Sequence, residues 1–314
     1  MSVAVAFSPQ VLGALFDAVE MDDVVDPVVS LPDTIPIACD QNEMRRCLAL
    51  CIQFWREGAI RADLKTLAST LLRIGDLPAE DRRRYKLIRA RYKHLRFALV
   101  LYGARHRAPP LFRATVVVMG HLQDAYRNNR RSVVLAYALA LRVLLTRAIW
   151  WAVHREIARV RIDDAAGFRE FRRGEICRLN QWLANTNLTA HRFHAMRKII
   201  SRLVSFYDTR RCIDPDDRAL RMSRYLSAIN GLMGEMHDEL VERAMAGQQD
   251  YHHDALVLPA DIHERLQALT QAYPDLHRKQ DRPPISSLCR PKEQCSAAAS
   301  NPRMAGRLTE LSEP

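Results

Sequence analysis

Residues 133–154 read VVLAYALALRVLLTRAIWWAVH, an apolar run long enough to span a bilayer as a helix. Arg142 and Arg147 lie near its middle, where each costs roughly 2.5–3.5 kcal/mol on insertion. The run therefore reads as the central helix of a soluble body, with no membrane insertion. Apolar residues on nearly every face imply neighbours around most of its circumference, and the arginines can reach the rim or a carboxylate.

Outward from this run the periodicity stays helical and strand alternation is almost absent. Upstream, Cys47, Leu48, Leu50, Cys51, Phe54 and Trp55 give one apolar stripe, with Asp40 or Asn42 as cap and both cysteines in the core. A short helix over 61–73 follows. Asp76, Pro78, Glu80 and Asp81 then start a long basic helix to about Arg105. Pro109-Pro110 opens a helix to about Arg127, and Asn128-Asn129 turns the chain so that this helix and the central one pack antiparallel. Downstream are helices near 167–184, along Phe193 to Tyr207 with Lys198, Ser201, Arg202 and Ser205 on the outer face, after Asp214-Pro215, and from Ala260 to Ala272. Thr189 or Asn187 caps the second of these. The fold class is mainly α: an irregular multi-helix core domain over 41–272, a flexible acidic-hydrophobic N-terminal arm over 1–40, and a disordered tail over 273–314.

Charge is divided unevenly. Residues 1–44 hold eight acidic and no basic side chains, which leaves 47 basic against 28 acidic on the rest of a chain whose net charge is +11. An acidic arm on a basic body points to a polyanion partner, nucleic acid first, with strong salt dependence. Seven cysteines without framework spacing read as free thiols, and MSVAVAFSPQ has neither the basic nor the apolar region of a secretory signal.

The densest basic run is Arg82, Arg83, Arg84, Lys86, Arg89, Arg91, Lys93 and Arg96, with Tyr85 and Tyr92 interleaved and no acid from Arg82 to Arg113. Positions 82, 86, 89, 93 and 96 form one ridge, either a solvated helix face or a phosphate-contacting one. Arg127, Arg130 and Arg131 make a second cluster; Arg221 and Arg224, with Arg210, Arg211 and Arg218, make a third. In the arm, Phe16, Asp17, Asp22 and Asp23 belong to a segment of acids alternating with bulky apolar groups, the composition of an activation segment. The alternative is a helix from Val11 to Met21 packed on the core through Leu12, Leu15, Phe16 and Val19. Glycine-rich phosphate loops, nucleophile elbows and zincin helices are absent. His191, His194, His252 and His253 lack the companions of a usual metal site, so no enzyme, cofactor or metal is expected.

The run from Leu144 to His154, with Ala125-Tyr126-Arg127 and Arg130-Arg131 upstream, resembles the central helix of the alphaherpesvirus alpha trans-inducing factor family. Weaker similarity extends from Asp63-Leu64 to the Tyr225 helix. The resemblance implies a helical tegument protein that activates immediate-early genes by joining a host octamer-binding POU factor and host cell factor on promoter DNA. It also implies assembly contacts with other tegument proteins, and residence in the virion tegument and the host nucleus. Ala148 stands where the family carries an acid. No histidine here has the acidic-His-any-Tyr setting by which members bind host cell factor; Asp250-Tyr251-His252-His253-Asp254 has those residue types in another order. Residues 278–314 hold seven basic and four acidic side chains, unlike the family's acidic activation tail. A purely structural tegument adaptor is the alternative.

Overall fold

Side-chain caps start several of the helices, and most helices stand where the sequence reading places them, the central run excepted. The computed structural model describes residues 6–185 and 187–274. Within them α1 is Pro9–Glu20, α2 Gln41–Gly58, α3 Arg61–Ile74, α4 Ala79–Tyr102, α5 Pro110–Arg127, α6 Arg131–Leu144, α7 Arg147–Ala158, α8 Ala165–Leu183, α9 Ala190–Ile213, α10 Asp217–Met245 and α11 Ala260–Ala272. Asp40 and Glu43 close a reciprocal capping box on α2. Asp164, Thr189 and Asp216 cap α8, α9 and α10 through their side chains. The only bridges among the described residues are isolated, Gly103 to Ile162 and Thr189 to Ala255. The mainly-α class holds, and the expected tail lies outside the described residues from 275 onward.

The core is organised around Trp55. Its indole meets Tyr92 and Phe112 edge-on at 5.6 and 5.7 Å, and Trp150 and His154 at 5.8 and 4.8 Å, so α2, α4, α5 and α7 share one aromatic centre. Cys47 and Cys51 are buried, as expected. The antiparallel pair α9 and α10 forms the most extensive helix contact.

Three expectations are corrected. The central run is two helices, α6 and α7, bent by 70°. Leu145 ends α6 and Thr146 is extended, and the Arg61 side chain donates to the Leu145 carbonyl at 2.6 Å. Nor is the run surrounded: Leu135, Leu139, Val143 and Trp151 are exposed. No single helix among the described residues is long and apolar enough to cross a membrane.

Second, α9 has no polar outer face at Ser201 and Ser205. Both are buried, because α1, α2, α4, α8 and α10 surround the helix. The Ser201 hydroxyl donates to Asn230 Oδ1 at 2.7 Å, and Ser205 Oγ lies 3.2 Å from His94 Nδ1.

Third, the arm from Phe7 to Asp40 lies packed on the body, and the alternative of a helix from Val11 to Met21 held through Leu12, Leu15, Phe16 and Val19 is the one that forms, as α1. Leu15, Val19, Ile35 and Cys39 are buried, and side chains of the body donate to arm carbonyls along its course. Gln53 reaches Phe7 at 3.0 Å, Asn230 reaches Asp22 at 2.8 Å, Arg265 reaches Pro27 at 3.0 Å, Arg221 reaches Leu31 at 3.1 Å, and Arg210 reaches Ala38 at 2.7 Å. A segment too irregular for its own backbone ladder is satisfied by side chains instead.

Candidate nucleic-acid interface

The first two basic clusters meet at one end of the bundle. Arg82 on the first turn of α4 pairs with Asp76 and lies 5.8 Å from the Tyr126 ring on the last turn of α5. Tyr126 is edge-on to Tyr85 at 5.6 Å. The α5–α6 turn is made by Asn129 in the left-handed region, φ 54°, and Arg127, Arg130 and Arg131 flank it. The N-termini of α4 and α6 meet the C-termini of α3 and α5 in this region, so the helix dipoles offset one another and the positive field comes from the side chains.

Individual arginines differ in what they have left to offer. Arg82 and Arg84 are engaged, the latter with Asp63 at 2.7 Å. Arg83 is 76% exposed, with Glu20 of the arm at 3.6 Å. Lys86, Arg127 and Arg131 are exposed; Arg127 has Asp238 at a loose 3.8 Å, and Arg130 Nη2 lies 2.9 Å from Met245 Sδ. Arg83 and Arg127 keep only long ion pairs and Arg130 a sulfur contact, so that together with the exposed Lys86 and Arg131 five cations can turn to an external anion.

The rest of the expected ridge turns inward. Arg89 is half-buried, and Lys93 lies beneath the arm, where burial lowers its pKa and the Asp22 carboxylate opposes that shift. Burial raises the Asp22 pKa, with Lys93 the largest opposing charge and Arg197 a further one. Asp22 and Asp23 therefore lie over the inner half of the α4 ridge as an intramolecular counter-charge, while Glu20 lies beside Arg83 at the start of the helix. Tyr85 and Tyr92 are fully buried, Tyr85 donating to the Met119 carbonyl at 2.9 Å, so neither is a stacking platform.

The third cluster lies elsewhere. Arg221 holds the arm through Ser30 and Leu31, while Arg224 is exposed. Seventeen residues of α10, about 26 Å of helix, separate Arg221 from Asp238 beside Arg127. Of the activation segment, Phe16 packs against Leu50 and Phe54 with the Arg91 guanidinium 5.1 Å over its ring. Asp17 and Asp23 are exposed, Asp22 half-buried, and Met21, Val24, Val25 and Val28 are the apolar groups the arm presents to solvent.

The histidines come together in pairs without forming a metal site. His191 and His252 have ring centroids 5.2 Å apart, and His194 and His237 4.5 Å. Among the described residues no group of three or more His, Cys, Asp or Glu is placed to hold a metal ion. An open cleft of about 650 Å³ lies beside Met236, Leu240 and Leu256.

The sequence reading missed the buried ionisable groups between α4, α8, α9 and α10. His94 Nε2 lies 2.9 Å from Thr209 Oγ1, and burial pushes its pKa down to about 3. Asp208 accepts from Ser223 Oγ at 2.5 Å, and burial raises its pKa to about 7 against the opposing effects of Ser223 and Arg211. Glu175 is fully buried and pairs with Arg202. Compared with known proteins, the chain matches no family model, no curated protein and no solved structure.

Proposed function

We propose that this chain is a viral tegument protein recruited to immediate-early promoters, where it joins a host octamer-binding POU factor and contacts DNA phosphates through Arg83, Lys86, Arg127, Arg130 and Arg131. The observation that carries the reading is the convergence of the first two basic clusters at the α4–α5–α6 junction, with five cations accessible. Such a patch positions a protein on DNA without reading base sequence. Specificity then comes from a factor already on the site, because a linked contact raises effective concentration without high intrinsic affinity. Host cell factor is the second partner of this reading, through a surface other than the family's tetrapeptide. Activation is assigned to the exposed side chains Met21, Asp23, Val24, Val25 and Val28 rather than to Phe16, which the body holds.

A mobility-shift experiment tests it. The purified chain is added to an octamer-containing promoter fragment with and without the host octamer factor and host cell factor. The reading expects a further complex only when the host factors are present, weakened but retained at low salt in the triple variant Arg127→Ala, Arg130→Ala, Arg131→Ala. Failure to add a complex in any combination moves the function to a tegument adaptor without transactivation, which the exposed apolar row of α6 also supports.

A further inference from the structure

The α6 helix packs one side on α3 and another on α5, and its third side carries a continuous apolar row. Leu135, Leu139 and Val143 are 39%, 59% and 52% exposed, at i, i+4 and i+8, so they form one ridge about 12 Å long. Beside it, Ser132, Ala136 and Ala140 form a parallel row of small side chains. A bulky ridge next to a shallow groove is the surface on which a second helix packs by interdigitation. Isolated exposed apolar side chains need no explanation, whereas two leucines and a valine in register along one ridge mark an interaction surface.

The charges around the row select the occupant. Arg131, Arg142, Arg147 and Arg155 are exposed along the two helices, and the single acid from residue 131 to 158, Glu156, is turned inward to accept from the Leu111 and Phe112 amides at 3.0 and 3.3 Å. Arg142 is aimed along the α3 side, donating to Ser69 Oγ at 2.9 Å. The only acid of α3, Asp63, is taken by Arg84, and the only acid of α5 is Asp124 in its last turn. A second copy of this face would set arginines against arginines, which opposes self-association.

We propose that the Leu135–Leu139–Val143 ridge of α6 is the seat for an amphipathic helix of a partner protein, apolar on one face and acidic on its flanks. The partner inserts apolar anchors at i, i+3 or i+4, and i+7 along the alanine groove, and its carboxylates reach Arg142 and Arg147. This surface is separate in residues from the five cations assigned to phosphate, apart from Arg131 at the head of the helix.

The test uses the full chain and two labelled helical peptides of equal length. One has leucines along one face and glutamates elsewhere; its twin has lysines in place of the glutamates. Fluorescence anisotropy is expected to give saturable binding of the glutamate peptide, roughly tenfold or more tighter than its twin and weakened as salt rises. Leu139→Asp is expected to cut that affinity by roughly tenfold or more with an unchanged far-ultraviolet circular dichroism spectrum. Arg142→Glu with Arg147→Glu, which leaves the apolar row intact, should reverse the preference between the peptides and carries the test if Leu139→Asp misfolds. Equal affinity for both peptides, or an affinity for the glutamate peptide that neither variant changes, overturns the proposal. So does absence of binding accompanied by sedimentation with phosphatidylserine-containing vesicles, which assigns the row to a membrane, or by a concentration-dependent dimer that Leu139→Asp abolishes, which assigns it to self-association.

Discussion

Gly231 lies on α10 where the arm crosses, and the Asp23 carbonyl comes so close that a Cβ there would collide with it and meet Val25 Cγ2 at 2.8 Å. Gly231→Ala must therefore push the arm outward or bend α10, and the arm, fixed by scattered side-chain donors, is the weaker of the two. The expected outcome is faster proteolysis between residues 21 and 35 with nearly unchanged helix content. It should also strengthen binding to heparin-type polyanions, since lifting Glu20 and Asp22 uncovers Arg83 and Lys93. Protection equal to wild type would mean that the arm does not rest on this glycine. A second residue-scale prediction concerns pH. The carboxyl of Asp208, raised to about 7 by burial, binds its proton more tightly folded than unfolded, so its contribution is full below the unfolded value and is lost as pH rises toward 7. For His94, depressed to about 3, the neutral ring is favoured by folding, so its contribution is full above the unfolded value near 6.5 and is lost as pH falls. These slopes oppose each other between about pH 4 and 6.5. Asp208→Asn removes one of them, and urea midpoints measured across that range should then fall more steeply on acidification than in the wild type. A parallel pair of curves would exclude Asp208 as the compensating group.

At the scale of elements, boundaries were legible wherever a side chain does the capping. Asp40 with Glu43, Thr189 and Asp216 each announce a helix start by a polar residue ahead of an apolar period. The α6–α7 break had no such signal. Leu144 and Leu145 are as apolar as their neighbours, neither glycine nor proline marks the site, and Thr146 makes no side-chain cap bond. What holds the corner is a remote residue, Arg61, bonded to the Leu145 carbonyl, and such a contact has no periodicity to detect. Arg61→Ala should cost about 1.5–3 kcal/mol, the range for a hydrogen bond from a charged donor, and calorimetry would read it as a lowered Tm. The inner face of α9 was misjudged for a related reason. Serine at 201 and 205 satisfies a polar outer face as readily as a buried seam, and only the partners Asn230 and His94 distinguish the two.

On the scale of the whole molecule, the separation of charge along the sequence becomes a contact in space. The acidic arm lies against the basic body, with Glu20 at Arg83 and Asp22 above Lys93, and arginines from α9, α10 and α11 grip its backbone. Part of the candidate interface was readable: clusters around Arg82 and Arg127 were identified as basic, while their adjacency depended on Tyr85 and Tyr126 packing between α4 and α5. Arg221 holds an arm carbonyl, an engagement that one dimension does not reveal, because an arginine so held and one awaiting a phosphate look alike in the sequence. The proposed function has the α4–α5–α6 junction meeting promoter phosphates in a host-factor complex. Its most direct test is the salt dependence of that complex for wild type and for Arg127→Ala, Arg130→Ala, Arg131→Ala. Five phosphate contacts give a log–log slope contribution of about −4.5, of which the triple variant should remove about −2.7. Equal slopes for the two proteins would contradict the claim.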